Sequence, residues 1–150
     1  NFYREVDWPI IVMLAAMIPI GTALQTTGLS EVMSSNISLY AENMSLFWLL
    51  FIILIVTMAT TDIINNAATA VIMAPISAGI AIELGYEIEP FLMVVAVGAS
   101  CAFLTPIGHQ CNTIIMGPGN YKFTDYWRLG LPLDILIIAV SIPMILFVWT

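Results

Sequence analysis

The sequence predicts an all-α, multi-pass membrane protein, and three observations carry that prediction. Hydrophobic residues make up 61% of the 150-residue chain and charged residues only 9%, with a mean hydropathy of +1.01; a soluble domain carries roughly a quarter charged residues. The apolar residues gather in long runs rather than in short alternating segments. Two of the runs are broken by uncharged polar clusters, Asn65-Asn66-Ala67-Ala68-Thr69 and Thr105-Pro106-Ile107-Gly108-His109-Gln110-Cys111-Asn112-Thr113. A bilayer core has no water to satisfy amides, and each unpaired one costs about a few kcal/mol. Such groups persist at depth where they line a cavity, and discontinuous helices are one way to build it.

The elements follow in order. A first span is predicted over 8–27, where the apolar run from Trp8 is closed by Gly21 and Gln25-Thr26-Thr27-Gly28. Residues 29–45 carry Glu31 and Glu42 and no basic residue, and read as an interfacial helix and loop. The runs from Leu46 to Met58 and from Ala67 to Ile82, the second with Pro75 inside, flank the first polar cluster. They are read as a re-entrant hairpin over 46–83, with two full spans as the alternative. The hairpin is preferred because its tip has no charge after Asp62 and no Gly or Pro. After an acidic loop, the run from Phe91 to Leu104 is too short to cross alone. With the second cluster it forms a broken helix over 90–119. A polar connector over 120–130 leads to a final span, 131–150.

Three basic residues, Arg4, Lys122 and Arg128, against ten acidic ones leave a net charge of −7. So few cations cannot neutralise a row of phosphates, so no nucleic-acid partner is expected. Placing all three on the cytoplasmic side fits both readings of 46–83. Cys101 and Cys111 are expected as buried packing residues, without a disulfide or metal site. No Ser-His or Cys-His pair sits on adjacent spans, so an enzyme is not expected. Asn1 is not a start methionine and the last run stops at Thr150, so the chain is expected to be part of a longer protein.

The polar clusters hold the candidate site. A half-helix starting near Ala67 would turn its free N–H groups and positive end into the membrane, a favourable place for an anion. Asn66 is expected to cap that helix, with Thr61 and Thr69 adding hydroxyls. Pro106 and Gly108 expose carbonyls at the second break, beside His109, Gln110, Asn112 and Thr113. His109 has either a hydrogen-bonding or a proton-titrating role. Asp62 is either a cation ligand or a cap for nearby backbone. Asp134 is expected at the headgroup edge, solvated.

The order of motifs resembles the divalent anion:sodium symporter family, and most closely its sulfate-permease-like members. The resemblance lies in Thr61-Asp62-Ile63-Ile64-Asn65-Asn66-Ala67-Ala68-Thr69-Ala70 followed by Pro75, in Gly98-Ala99-Ser100-Cys101-Ala102-Phe103 running to Thr105-Pro106, and in Asn112 with Gly117-Pro118-Gly119. It continues through Tyr121-Lys122-Phe123-Thr124-Asp125-Tyr126-Trp127-Arg128-Leu129-Gly130-Leu131-Pro132. It implies the C-terminal half of an inverted-repeat transporter in the plasma (inner) membrane, forming a homodimer with its missing N-terminal half in place. It implies a substrate site at Asn65, Asn66, Ala67, His109, Gln110 and Asn112, and a Na⁺ site around Thr61, Ile64, Asn66 and Gly108. Of the two family motifs, only Asn66 and Asn112 are identical here. Ala67 stands where the family has a hydroxyl, which weighs against a dicarboxylate. The implied function is sodium-coupled symport of a small oxyanion such as sulfate, by an elevator-like movement of hairpin and broken helix. Na⁺ is the coupling ion and no other cofactor is implied. A non-transporting membrane scaffold or assembly subunit is the alternative.

Overall fold

The computed structural model describes residues 26–41 and 44–149, with scattered positions between 8 and 23. The predicted span 8–27 and Arg4 therefore fall mostly or wholly outside the described residues. From Leu29 onward the regular elements are six helices: α1 Leu29–Ala41, α2 Leu46–Thr61, α3 Asn66–Leu84, α4 Ile88–Ala99, α5 Gln110–Met116 and α6 Phe123–Trp149. The all-α prediction is borne out. α2 and α3 form the two arms of the hairpin, joined by a short tip over 62–65.

The tip ends α2 without leaving its last carbonyls bare. The Asp62 N–H donates to the Met58 carbonyl at 3.2 Å, and the Ile63 and Ile64 N–H groups donate to Thr60 at 3.1 and 2.9 Å. α3 is capped by Asn65, not by Asn66 as expected. Asn65 sits in extended backbone at φ −68° and ψ 157°, and its side-chain oxygen accepts from the Ala68 N–H at 2.8 Å. A cap must lie just outside the helix and reach two or three residues ahead; Asn66 is already the first helical residue.

α4 packs against both hairpin arms, α6 against α4 and α2, and α1 against α3. Leu50, Leu54, Phe91, Val94 and Ile142 are fully or almost fully buried between them. In lipid the hydrophobic effect does not drive such contacts, so close packing and buried polar bonds hold the helices together. Within this core the Ser77 hydroxyl donates to the Phe91 carbonyl at 3.2 Å, tying α3 to the start of α4. The outer faces are strongly apolar, with Ile55, Val56, Leu136, Val140, Met144 and Phe147 all exposed.

Among the described residues two helices, α3 with 19 residues and α6 with 27, are long and apolar enough to cross a membrane. At 1.5 Å per residue α3 covers roughly 28 Å, so length alone permits a crossing as readily as a re-entrant arm. α6 begins at Phe123, inside the stretch expected as a polar connector over 120–130, and runs on through the expected final span 131–150 to Trp149. The Lys122 N–H donates to the Asp125 carboxylate at 2.9 Å, the reach-back half of a capping box. That bond starts the helix well before the apolar run. α1 is a helix as expected, but it does more than lie at an interface: Ser34 is buried, with its hydroxyl 3.4 Å from Glu83 of α3.

Candidate ion and anion site at two helix breaks

Residues 100–109, in the stretch expected as a broken helix, separate α4 from α5. The loop folds back onto the hairpin tip. The Asp62 carboxylate accepts from the Leu104 N–H at 3.0 Å, and the Asp62 carbonyl accepts from the Thr105 hydroxyl at 2.6 Å. The same Thr105 oxygen accepts from the Gly108 N–H at 3.2 Å. The two bonds to Asp62 join positions more than forty residues apart in sequence.

On the other side of the tip, Thr61 is fully buried and its hydroxyl donates to the Ala99 carbonyl at 2.9 Å. The hydrogen-bonding pattern assigns the Asn66 amide nitrogen to this group. It donates to Thr61 Oγ1 at 2.9 Å and to the carbonyls of Ala99 and Gly108 at 3.3 Å each. Thr61, Asn66 and Gly108, three of the four residues expected around a cation, thus meet at one place. Ile64, the fourth, lies on the same tip but is exposed. Gly108 is needed for the approach. A Cβ there would stand 2.8 Å from the Ala102 Cβ and 2.9 Å from the Thr61 carbonyl oxygen.

The second break is organised around Asn112. Its amide nitrogen donates to the carbonyls of Ala102 at 2.9 Å and Thr105 at 3.2 Å, and its own carbonyl accepts from the Tyr126 hydroxyl at 2.6 Å. His109 caps α5, with Nδ1 accepting from the Cys111 N–H at 3.2 Å. A cavity of about 170 Å³ is lined by Ser100, Ala102, Phe103, His109 and Asn112. Of the expected substrate residues it joins His109 and Asn112. Asn65, Asn66, Ala67 and Gln110 do not line it, and Asn65 and Gln110 are exposed. The thiols are free; Cys101 is buried as expected, whereas Cys111 is exposed on the short helix α5.

Three residues have roles the sequence did not announce. Thr105 bridges tip and break; a hydroxyl directly before Pro106, at a helix stop, was the available signal. Tyr126 holds the Asn112 carbonyl from within the stretch expected to be a connector. Asp134 is only 7% exposed, not solvated. It follows Gly130 by one helical turn, and Gly130 is itself buried, so the spacing was legible but its face was not.

Discontinuous helices whose ends converge on a polar cluster, wrapped in apolar outer faces, define the class of helical membrane transporters. The comparison with known proteins makes this specific. Residues 1–98 match the model of the citrate transporter family (CitMHS), and the chain belongs to that family. It is a family of transporters, not enzymes, and most of the relatives carry transporter names, in agreement with the resemblance to the anion:sodium symporters. The chain is 37% identical over 145 residues to an uncharacterised transporter of Synechocystis, covering 97% of this chain and 24% of that protein. It is 27% identical to sodium/sulfate cotransporter 2 of Chlamydomonas reinhardtii, covering 92% of this chain and 16% of that protein. It is 24% identical to the sodium-dependent dicarboxylate transporter SdcS of Staphylococcus saprophyticus, covering 96% and 28%. The chain thus spans about a quarter of the length of the relatives it matches.

Proposed function

We propose that this chain is part of a sodium-coupled carrier of a small oxyanion, with sulfate as the favoured substrate. The observation that carries the reading is the convergence of Thr61, Asn66, Ala99 and Gly108 at the meeting of the two breaks. The Thr61 hydroxyl and the Ala99 and Gly108 carbonyl oxygens in one place suit Na⁺, and unwound backbone is where such ions bind in carriers of this architecture. The anion would sit on the positive end of α3, near Asn65, Asn66 and Ala67, and be closed in by His109, Gln110 and Asn112. Both ligands then share Asn66, which couples their binding. The names of two relatives, one a sodium/sulfate and one a sodium-dependent dicarboxylate protein, support this choice of chemistry. Ala67, lacking a hydroxyl, favours sulfate of the two.

In this reading the hairpin 46–83 is re-entrant and moves with the broken helix as one body, because Asp62, Thr105 and Asn66 knit them together. A second, inverted half supplies the remaining ligands, and the carrier is a homodimer in the plasma (inner) membrane. The test is uptake of radiolabelled sulfate by the full-length protein in proteoliposomes. Uptake should need an inward Na⁺ gradient and should resist excess succinate. Equal uptake with K⁺ in place of Na⁺ would remove the coupling, and full inhibition by succinate would move the substrate to the dicarboxylates.

A further inference from the structure

A cavity of about 230 Å³ lies between α5 and the first turns of α6. It shares Phe103 and Asn112 with the smaller cavity at the second break, but its other walls are its own. Tyr121, Asp125 and Tyr126 make its polar end, and Ile115, Leu129 and Leu133 its apolar walls. The Tyr121 and Tyr126 rings stand 6.2 Å apart, inclined at 64°. Asp125 is steadied by the bond from the Lys122 N–H, which uses Oδ2 alone.

The lining selects a charge. Asp125 is the charged side chain in it, and neither Lys122 nor Arg128 belongs to it. A carboxylate beside two phenol rings suits a cation, because the face of an aromatic ring attracts positive charge. The lining also has a direction. Leu129 and Leu133 follow Asp125 by one and two turns of α6, so polarity falls along the helix axis. With 27 residues α6 is roughly 40 Å long, more than a hydrocarbon core of about 30 Å. Its start carries exposed Tyr121, Phe123 and Trp127 beside exposed Lys122 and Arg128, the aromatic and basic belt of a membrane interface. Ile115, Leu129 and Leu133 are exposed as well, so the cavity opens sideways on the apolar outer face. A ligand that matches this order holds its cation at headgroup level and its apolar body along the span. A membrane lipid stands that way; a free amine in water has no such body.

We propose that this cavity is a lipid site for phosphatidylethanolamine, with Asp125 as counter-ion to the headgroup ammonium and one acyl chain along Ile115, Leu129 and Leu133. The ammonium N–H groups can hydrogen-bond the carboxylate, and such charge-assisted bonds are the strong ones. Phosphatidylglycerol brings no positive charge to Asp125. The bound lipid lies beside Tyr126, whose hydroxyl holds the Asn112 carbonyl at 2.6 Å, so it seats the start of α6 against the second break. The site goes beyond the transport reading above and does not rest on it.

The test is native mass spectrometry of the delipidated full-length protein, given equal amounts of dioleoyl phosphatidylethanolamine and dioleoyl phosphatidylglycerol. The parent should retain the ethanolamine lipid several-fold over the glycerol lipid, and Asp125→Asn should lose one such lipid per protomer. Asparagine keeps an oxygen for the Lys122 N–H, so the start of α6 stays capped while the charge goes. Equal retention of both lipids by the parent would overturn the site, as it would be if the rest of the longer protein fills the cavity. So would undiminished ethanolamine-lipid binding in a folded Asp125→Asn protein. If that variant fails to fold, competition on the parent decides: decylammonium should displace the lipid and decyl sulfate should not, and the reverse order would overturn the site. Displacement by ethanolamine itself, which has no acyl chain, would assign the cavity to free amines and overturn the lipid. A protein that shows the lipid preference but takes up no sulfate would lose the transport reading and keep this site.

Discussion

Asn66 and Thr105 hold the breaks together at the scale of single residues, and they do so differently. The Asn66 amide donates to a hydroxyl and two carbonyls contributed by three separate segments, so its loss frees acceptors on each. Asn66→Ala is expected to cost about 1–3 kcal/mol, the usual penalty for an unsatisfied buried group, and to leave the protein inserted. Anion uptake should nevertheless fall to background, since both proposed ligands use this side chain. Near-normal uptake by a folded Asn66→Ala protein would show that the amide only packs. Thr105 is a bridge rather than a ligand. Thr105→Val removes its donor to Asp62 and its acceptor for Gly108, at a cost of roughly 1–3 kcal/mol. Thermal unfolding in detergent should show that loss, with Thr105→Ser close to the parent. If Ser and Val behave alike, the hydroxyl bridge carries no stability.

At the scale of elements, the contact that matters is between the hairpin tip and the loop after α4. It exists because position 108 has no side chain. The Cβ of Gly108→Ala would meet the Thr61 carbonyl and the Ala102 Cβ below 3 Å, and the backbone carbonyl cannot retreat without unwinding the tip. We expect the loop to lift, the Asn66 bond to Gly108 to break, and the Na⁺ concentration for half-maximal uptake to rise several-fold. Adding Ala102→Gly removes one of the two obstacles and should restore part of the affinity. Unchanged Na⁺ dependence in Gly108→Ala would separate this contact from ion binding.

For the whole molecule, the prediction concerns the depth of the hairpin tip. If the hairpin is re-entrant, the 62–65 tip stays at mid-depth; if α2 and α3 each cross, it reaches the cytoplasmic surface. A cysteine at Asn65, which is exposed on the tip, reports which. With the full-length protein in sealed vesicles, membrane-impermeant thiol reagents on the cytoplasmic side should react slowly, and Na⁺ or sulfate should change the rate. Native exposed thiols, Cys111 among them, are replaced by Ser beforehand, so that only position 65 is read. Rapid, Na⁺-insensitive labelling would mean two full spans and would remove the shared mid-membrane cavity.

Composition and run lengths by themselves determined the helical membrane class, the positions of both breaks and the start of α3 near residue 66. These are local properties: apolar runs demand a bilayer or a core, and amides clustered at Asn65-Asn66 and around Pro106 interrupt them wherever the chain goes. The resemblance added Thr61, Asn66 and Gly108 as a group, and the fold does place those three together. What only the tertiary structure decided was which polar atom answers which. Asn65 rather than Asn66 became the cap because a one-residue difference in backbone conformation selects it. α6 began at Phe123 because the Asp125 carboxylate, three residues after Lys122, accepts from the Lys122 N–H, a bond that hydropathy does not register. Asp134 was buried rather than solvated because α6 is set by its packing on α4 and α2. The direction a helix face points is a property of its neighbours, and a single sequence holds no record of them.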